Sequence, residues 1–77
     1  MQIKVIAQYK LGVCYENGEG VEVDKSKAVK CCQCAADQEY AEAQCCLGIC
    51  YKKGIGVDSN KSKAAEFYQL AAEQGDE

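Results

Sequence analysis

Seven cysteines are the residues of this sequence best suited to chemistry, and five of them fall in two short clusters, CCQC and CC. Thiolates bind soft metals and exchange with disulfides. One interpretation is therefore a thiol-rich metal-binding or redox module built on Cys31, Cys34, Cys45 and Cys46. If the two clusters lie on antiparallel helices, Cys34 and Cys45 lie equally far from the turn and could meet, which would allow a soft-metal site or a disulfide. The spacing matches no standard zinc pattern and the count is odd, so we predict reduced thiols, no metal and no cofactor.

The composition also argues against several kinds of active site, because two residue types are absent. The chain has no His and no Arg, which removes the usual general base and the usual bidentate phosphate ligand. The two glycine loops, GEG and GIG, follow predicted helix C-termini, where the helix dipole disfavours an anion. We therefore expect no enzyme activity.

Net charge and hydropathy argue against nucleic acid and membranes as binding partners. A net charge of −3 with nine lysines provides no basic stripe for nucleic acid. No apolar run is long enough to span a bilayer, and no secretory signal opens the chain. We expect no nucleic-acid or membrane partner and a cytoplasmic location, where thiols stay reduced.

The elements that would position the cysteines come from an internal repeat. Sliding the chain against itself by 36 residues gives 17 identities over the 32 pairs from 7/43 to 38/74, without a gap. The segment LGVCYENGEGVEVDKSKA returns as LGICYKKGIGVDSNKSKA. A repeat of this length indicates one supersecondary unit per copy.

Each copy reads as a pair of helices. Apolar residues at helical spacing predict a first helix from about Ile3 to Glu16, a stop at Gly18 and a second helix capped by Asp24. The second copy predicts a helix over about 41–53, a stop at Gly54 and a cap at Asn60. We expect three residues of each first helix to face the paired helix. They are Ala7, Leu11 and Cys14 in the first copy and Ala43, Leu47 and Cys50 in the second.

Two mid-helix glycines add to this pattern. Gly12 and Gly48 occupy the same repeat position, where glycine costs about 1 kcal/mol relative to alanine. Their recurrence predicts close approach to a neighbouring helix, which we expect to present an alanine-rich face.

These residues resemble the Sel-1-like repeat, a relative of the tetratricopeptide repeat. The first copy carries the family pattern at Ala7, Leu11-Gly12, Tyr15, Gly18, Gly20-Val21, Asp24, Lys27-Ala28, Ala35-Ala36 and Gln38, and the second copy continues it through Phe67-Tyr68 to Gln74-Gly75. The resemblance implies an all-α fold, an α-α superhelix (solenoid) of two helix-turn-helix repeats with four antiparallel helices. It implies one repeat domain over 1–77, with repeats at about 5–40 and 41–76, as part of a longer array.

The resemblance also implies a function, that of a scaffold or adaptor that binds a protein or peptide, with self-association through exposed repeat ends as a further option. The first copy departs from the family pattern. Cys31 and Cys32 replace an aromatic pair, Glu39 replaces a linker glycine and Tyr40 replaces a capping residue. We therefore expect the first repeat to be looser than the second.

A second stripe on the first helices is the predicted binding surface. It lies opposite the predicted helix-pair face and would line the concave wall of the superhelix. Its members are Ile6, Tyr9, Val13 and Glu16 in the first copy and Glu42, Cys45, Ile49 and Lys52 in the second. Apolar side chains between charged ones are typical of a peptide or helix groove. The alternative is that this stripe is buried between neighbouring repeats.

Overall fold

Four helices, stacked in chain order, form the fold in the computed structural model, which describes residues 2–75. They are α1 (Gln2–Asn17), α2 (Lys25–Asp37), α3 (Ala41–Lys53) and α4 (Lys61–Gly75). Each helix packs on the next, α1 on α2, α2 on α3 and α3 on α4. Within the described range, no helix combines the length and apolar character needed to cross a membrane. The predicted all-α solenoid of two helix pairs is confirmed.

Local signals set most of the helix ends. The Asp24 carboxylate accepts a hydrogen bond from the Lys27 backbone N–H at 3.1 Å, and the Asn60 side-chain oxygen accepts one from Lys63 at 3.0 Å. Gly18, with φ 74°, follows α1, and Gly54 ends α3 with φ 72°. Both are left-handed conformations that glycine adopts without a Cβ penalty. The predicted caps and stops are confirmed.

The junction between the repeats lacks those preferred residues. Glu39 has φ 66°, which makes it the one non-glycine residue with positive φ in the described chain. Its N–H donates to the Ala36 carbonyl at 2.8 Å and the N–H of Tyr40 donates to Ala35 at 3.2 Å, so α2 ends in a hydrogen-bonded turn. Tyr40 is the N-cap residue of α3, and its side chain makes no capping hydrogen bond. The turn is formed despite an unfavourable residue at its left-handed position.

The core lies mainly between α2 and α3, which belong to different repeats. Its buried members are Val5 of α1, then Val29, Cys32, Ala35 and Ala36 of α2, and Ala43, Leu47 and Cys50 of α3. Small residues predominate, which brings the two helices close together. Most residues of this buried cluster therefore belong to the inter-repeat interface.

The predicted orientation of α1 is wrong. Ala7 is exposed, Leu11 is 44% exposed and Cys14 is only half-buried, although all three were expected to face α2. Their counterparts Ala43, Leu47 and Cys50 are buried because α2 of the preceding repeat covers them. Among the described residues, no helix precedes α1 to do the same. This repeat position faces the neighbouring repeat rather than the helix of its own pair.

Close approach at the mid-helix glycines is confirmed. A Cβ placed on Gly12 would lie 3.0 Å from the Cys32 sulfur and 3.1 Å from the Ala28 carbonyl oxygen. A Cβ on Gly48 would lie 2.8 Å from the ring of Tyr68. The neighbour of Gly48 is thus an aromatic ring and not the expected alanine-rich face. In both repeats the glycine lets the paired helices pack without a side chain between them.

Candidate binding groove and thiol cluster

The structure places five of the eight predicted groove residues in two adjoining depressions. Tyr9 of α1 and Glu42, Cys45 and Ile49 of α3 line a depression of about 260 Å³, to which Cys46 also contributes. A second depression, of about 350 Å³, is lined by Tyr9, Lys10, Val13, Cys14 and Glu19. Tyr9 belongs to both, so the two depressions adjoin. We call these two depressions together the α1–α3 groove.

Three predicted residues lie elsewhere. Ile6 and Glu16 are half-buried outside the α1–α3 groove. Lys52 lines a different depression, of about 340 Å³, with Lys61, Ala64, Ala65 and Tyr68 on the α4 side of α3.

Tyr9 is a groove residue whose ring is held in place by its neighbours. Its ring packs edge-on against the ring of Tyr40, with centroids 5.4 Å apart. The Tyr40 hydroxyl in turn donates a hydrogen bond to the Glu42 carboxylate at 3.0 Å. Burial, followed by the nearby Cys46 and Glu42, raises the pKa of Tyr9, so its phenol stays neutral. Tyr9 therefore links the two repeats and presents an uncharged ring to the groove.

The apolar groove residues differ in exposure. Tyr9 also packs against the core, and Val13 is half-buried. Ile49 is 38% exposed and Cys45 is exposed. Inter-repeat packing thus uses part of the stripe, and the α3 part of it stays accessible to solvent.

The cysteines do not meet as the sequence suggested. Cys34 and Cys45 are both exposed, and the thiol contact falls instead on Cys32 and Cys46, whose sulfur atoms are 3.7 Å apart. Sequence reasoning missed this pair. Both residues lie seven positions from Glu39, the centre of the junction, and that symmetry is the signal that identifies them.

Three thiols form a hydrogen-bonded cluster around Cys46. Hydrogen bonds donated by Cys32 and then by Cys50 hold the pKa of the Cys46 thiol well below its ordinary value, against the opposing effect of burial. The same hydrogen bonds, followed by burial, raise the pKa of Cys32 and of Cys50. The hydrogen bonds therefore favour the thiolate form at Cys46, and Cys46 is the one residue of the three that is not fully buried.

The metal-binding alternative gains no support. Between residues 2 and 75, no group of three or more His, Cys, Asp or Glu side chains is placed to hold a metal ion. Of the four cysteines considered as ligands, Cys34 and Cys45 are exposed, while Cys31 and Cys46 are half-buried. Burial raises the pKa of the Cys31 thiol, which works against the thiolate that a metal needs.

Two copies of one helix pair, joined through a shared core, define a helical repeat protein of the solenoid class. Residues 5–40 and residues 41–76 each match the family model of the Sel1 repeat. The chain belongs to the Sel1 repeat family.

Solved structures support this assignment. The chain superimposes with a TM-score of 0.91 on a Sel1 repeat protein from Oxalobacter formigenes, with 40% identity over 95% of this chain and 30% of that one. It superimposes equally well, with a TM-score of 0.91, on a protective antigen of uropathogenic Escherichia coli strains that displays an SLR fold. There the identity is 43% over 94% of this chain and 15% of the antigen. This chain thus spans less than a third of either protein. No curated protein matches it.

Sel1 repeats generally serve as protein–protein interaction scaffolds, and proteins built from them are typically not enzymes.

Proposed function

We propose that this chain is an adaptor module that holds a segment of a partner protein in the α1–α3 groove. The segment is an amphipathic helix or a short peptide with two apolar anchors. The observation that carries the proposal is the continuity of the groove through Tyr9, which joins the Ile49 side to the Val13 side. Helix-binding grooves are recognised by such spaced apolar anchor sites.

The groove rim favours a partner of net positive charge. Glu42 lines one depression, and Glu19 lines the other together with a single lysine, Lys10. The chain as a whole carries a charge of −3. Complementary charges at a rim raise the association rate and help to fix orientation more than they raise affinity. We therefore expect affinity to come from the apolar anchors and salt sensitivity to come from the rim.

The test begins with a displayed library of helical peptides selected on the wild-type protein. A selected peptide is then titrated by calorimetry against the double variant Val13→Asp/Ile49→Asp. Each aspartate places a charge where the proposal puts an apolar contact, so the affinity is expected to fall at least tenfold, about 1.4 kcal/mol. Leu70→Asp is the matched control, because Leu70 is 45% exposed but lies on α4 away from the groove.

Two results would contradict the proposal. Peptide binding that survives the groove variant but is lost in Leu70→Asp would place the binding surface on α4. A melting temperature that falls sharply in the groove variant alone would show that Val13 and Ile49 belong to the inter-repeat core. The proposal requires all three proteins to retain similar helicity and melting temperatures.

A further inference from the structure

Two cysteines with opposite exposure meet beneath the groove. Cys46 is half-buried and lines the depression next to Ile49, so small solutes reach it. Cys32, on α2, is 1% exposed and unreachable from solvent. Their sulfur atoms are 3.7 Å apart, which is thiol–thiol contact across the interface between the two repeats. The Cys46 sulfur is therefore placed to react with a solute, whereas the Cys32 sulfur is placed to react only with Cys46.

We propose that Cys46 and Cys32 form a redox pair, in which Cys46 reacts with a low-molecular-weight disulfide such as glutathione disulfide and Cys32 then closes a reversible bridge between α2 and α3. In the first step the Cys46 thiolate attacks one sulfur of the small disulfide. Its S–S bond breaks, and the departing thiolate takes a proton from water. In the second step Cys32 loses its proton to water and attacks the Cys46 sulfur. The second small thiolate leaves, so two electrons pass from the protein thiols to the small disulfide.

The order of the two steps follows from access and from charge. The thiolate is the attacking form in disulfide exchange. Hydrogen bonds from Cys32 and Cys50 stabilise that form on Cys46 and hold its pKa low. Cys32 keeps its proton until Cys46 has been consumed, because the same hydrogen bond and burial raise its pKa. Cys46 is thus the first nucleophile and Cys32 the resolving thiol.

Helix geometry excludes the pairs that would form within one helix. Cys46 and Cys50 are four residues apart on α3, where Cβ atoms lie about 5–6 Å apart, and a disulfide needs about 3.5–4.5 Å. The vicinal cysteines in each cluster point about 100° apart around their helices. Cys34 is exposed, and the sulfur contact of Cys46 with the other helix is made to Cys32. Only Cys32 combines contact with a position on a different helix.

The bridge would tie one repeat to the other at the point where they share a core. It would enclose the Glu39 junction in a covalent loop, which lowers the entropy of the unfolded chain. The oxidised protein is therefore expected to resist denaturant better than the reduced one. The inference stands apart from the proposed binding function, because neither step involves a partner protein.

The experiment uses the full chain, fully reduced and then equilibrated anaerobically in a series of glutathione mixtures. Samples are quenched with N-ethylmaleimide, and the whole-protein mass is measured. Digestion at the acidic residues Asp37, Glu39 and Glu42 separates the two cysteine clusters for mapping. We expect the wild type to lose two of its seven thiols, without retained glutathione, through a link between Cys32 and Cys46.

The variants assign the roles. Cys32→Ala is expected to hold glutathione on Cys46, because the resolving thiol is missing. Cys46→Ala is expected to form neither the bridge nor an adduct at Cys32. The double variant Cys34→Ala/Cys45→Ala, which removes one exposed thiol from each cluster, is the matched control and keeps the bridge. Circular dichroism checks that each variant is helical, and if Cys32→Ala does not fold, the wild-type map and Cys46→Ala still decide.

The inference is overturned by a bridge that maps to any other pair. It is equally overturned by glutathione confined to Cys34 and Cys45 while Cys46 stays free, or by seven free thiols at the most oxidising mixture.

Discussion

Leu11 and Leu47 occupy the same repeat position and are followed by the same glycine, yet Leu47 is 0% exposed and Leu11 is 44% exposed. Leu47 lies against α2, a helix of the preceding repeat. Leu11 lies on α1, which no described helix precedes. The repeat sequence therefore specifies the helix pair, and the neighbouring repeat decides which face is buried.

The glycine loops show the same contrast. Gly20 and Gly56 have nearly the same φ, 79° and 74°. A Cβ on Gly20 would meet nothing within 4 Å, but one on Gly56 would collide with the Lys25 backbone and lie 2.9 Å from Val29. The loop of the second repeat rests on the first turn of α2. The equivalent loop of the first repeat has no such neighbour among the described residues.

The two repeats also differ in one contact because their residue types differ, and not because of their place in the chain. Tyr51 and Phe67 stack in the second repeat, with centroids 5.7 Å apart and an angle of 9° between the rings. Cys31 stands at the position of Phe67 in the first repeat, so Tyr15 keeps only the Lys27 ammonium above its ring, at 5.5 Å. The aromatic contact between helices of one pair is thus present in one repeat and missing from the other.

The largest expected difference is between Leu47→Ala and Leu11→Ala. Removing the buried leucine should destabilise the protein by about 2–5 kcal/mol, because it leaves a cavity in the inter-repeat core. Removing the exposed one should change stability by about 0.5 kcal/mol or less. Urea unfolding of both variants measures the difference. Equal losses would mean that the Leu11 face is covered in solution, which repetition at tenfold dilution would check.

A comparison of Gly56→Ala with Gly20→Ala separates the stability lost to backbone strain from the stability lost to a steric collision. Both substitutions place a Cβ at positive φ, which costs roughly 1–2 kcal/mol. Only Gly56→Ala also forces the loop away from Lys25, so its denaturation midpoint should fall further than that of Gly20→Ala. Identical midpoints would show that the loop moves off α2 without loss of stability.

The smallest predicted effect is at the junction between the repeats, where a substitution should raise the stability of the protein instead of lowering it. Glu39→Gly should stabilise the protein by about 1 kcal/mol, since the left-handed backbone at φ 66° disfavours a side chain. Gln38→Gly is the control in the same turn. Gln38 has φ −96° and donates side-chain hydrogen bonds to Gln8 and to the Cys34 carbonyl, so glycine there should destabilise. A lower midpoint for Glu39→Gly would mean that the glutamate side chain stabilises the turn.

The parts of the fold that sequence predicts well are local. A cap such as Asp24 or a stop such as Gly54 acts within a few residues of itself, so its role can be read without knowing the neighbours. The face of α1 depends on which helix lies beside it, and periodicity alone does not give that. The Cys32–Cys46 contact depends on the relative rotation of α2 and α3. Counting from the turn suggested Cys34 and Cys45, which are similarly distant from it but lie on outward faces.

The single inter-repeat interface also has a consequence for measured energies. In a linear array the free energy is approximately a sum of repeat terms and nearest-neighbour coupling terms, so two repeats contain one coupling term and each added repeat contributes one more. A repeat placed before α1 would cover Leu11 as α2 covers Leu47. The mutational cost at position 11 would then rise from a surface value to a core value, although no residue of this chain had changed. In this architecture the energetic weight of a side chain is set by its ordinal place in the array.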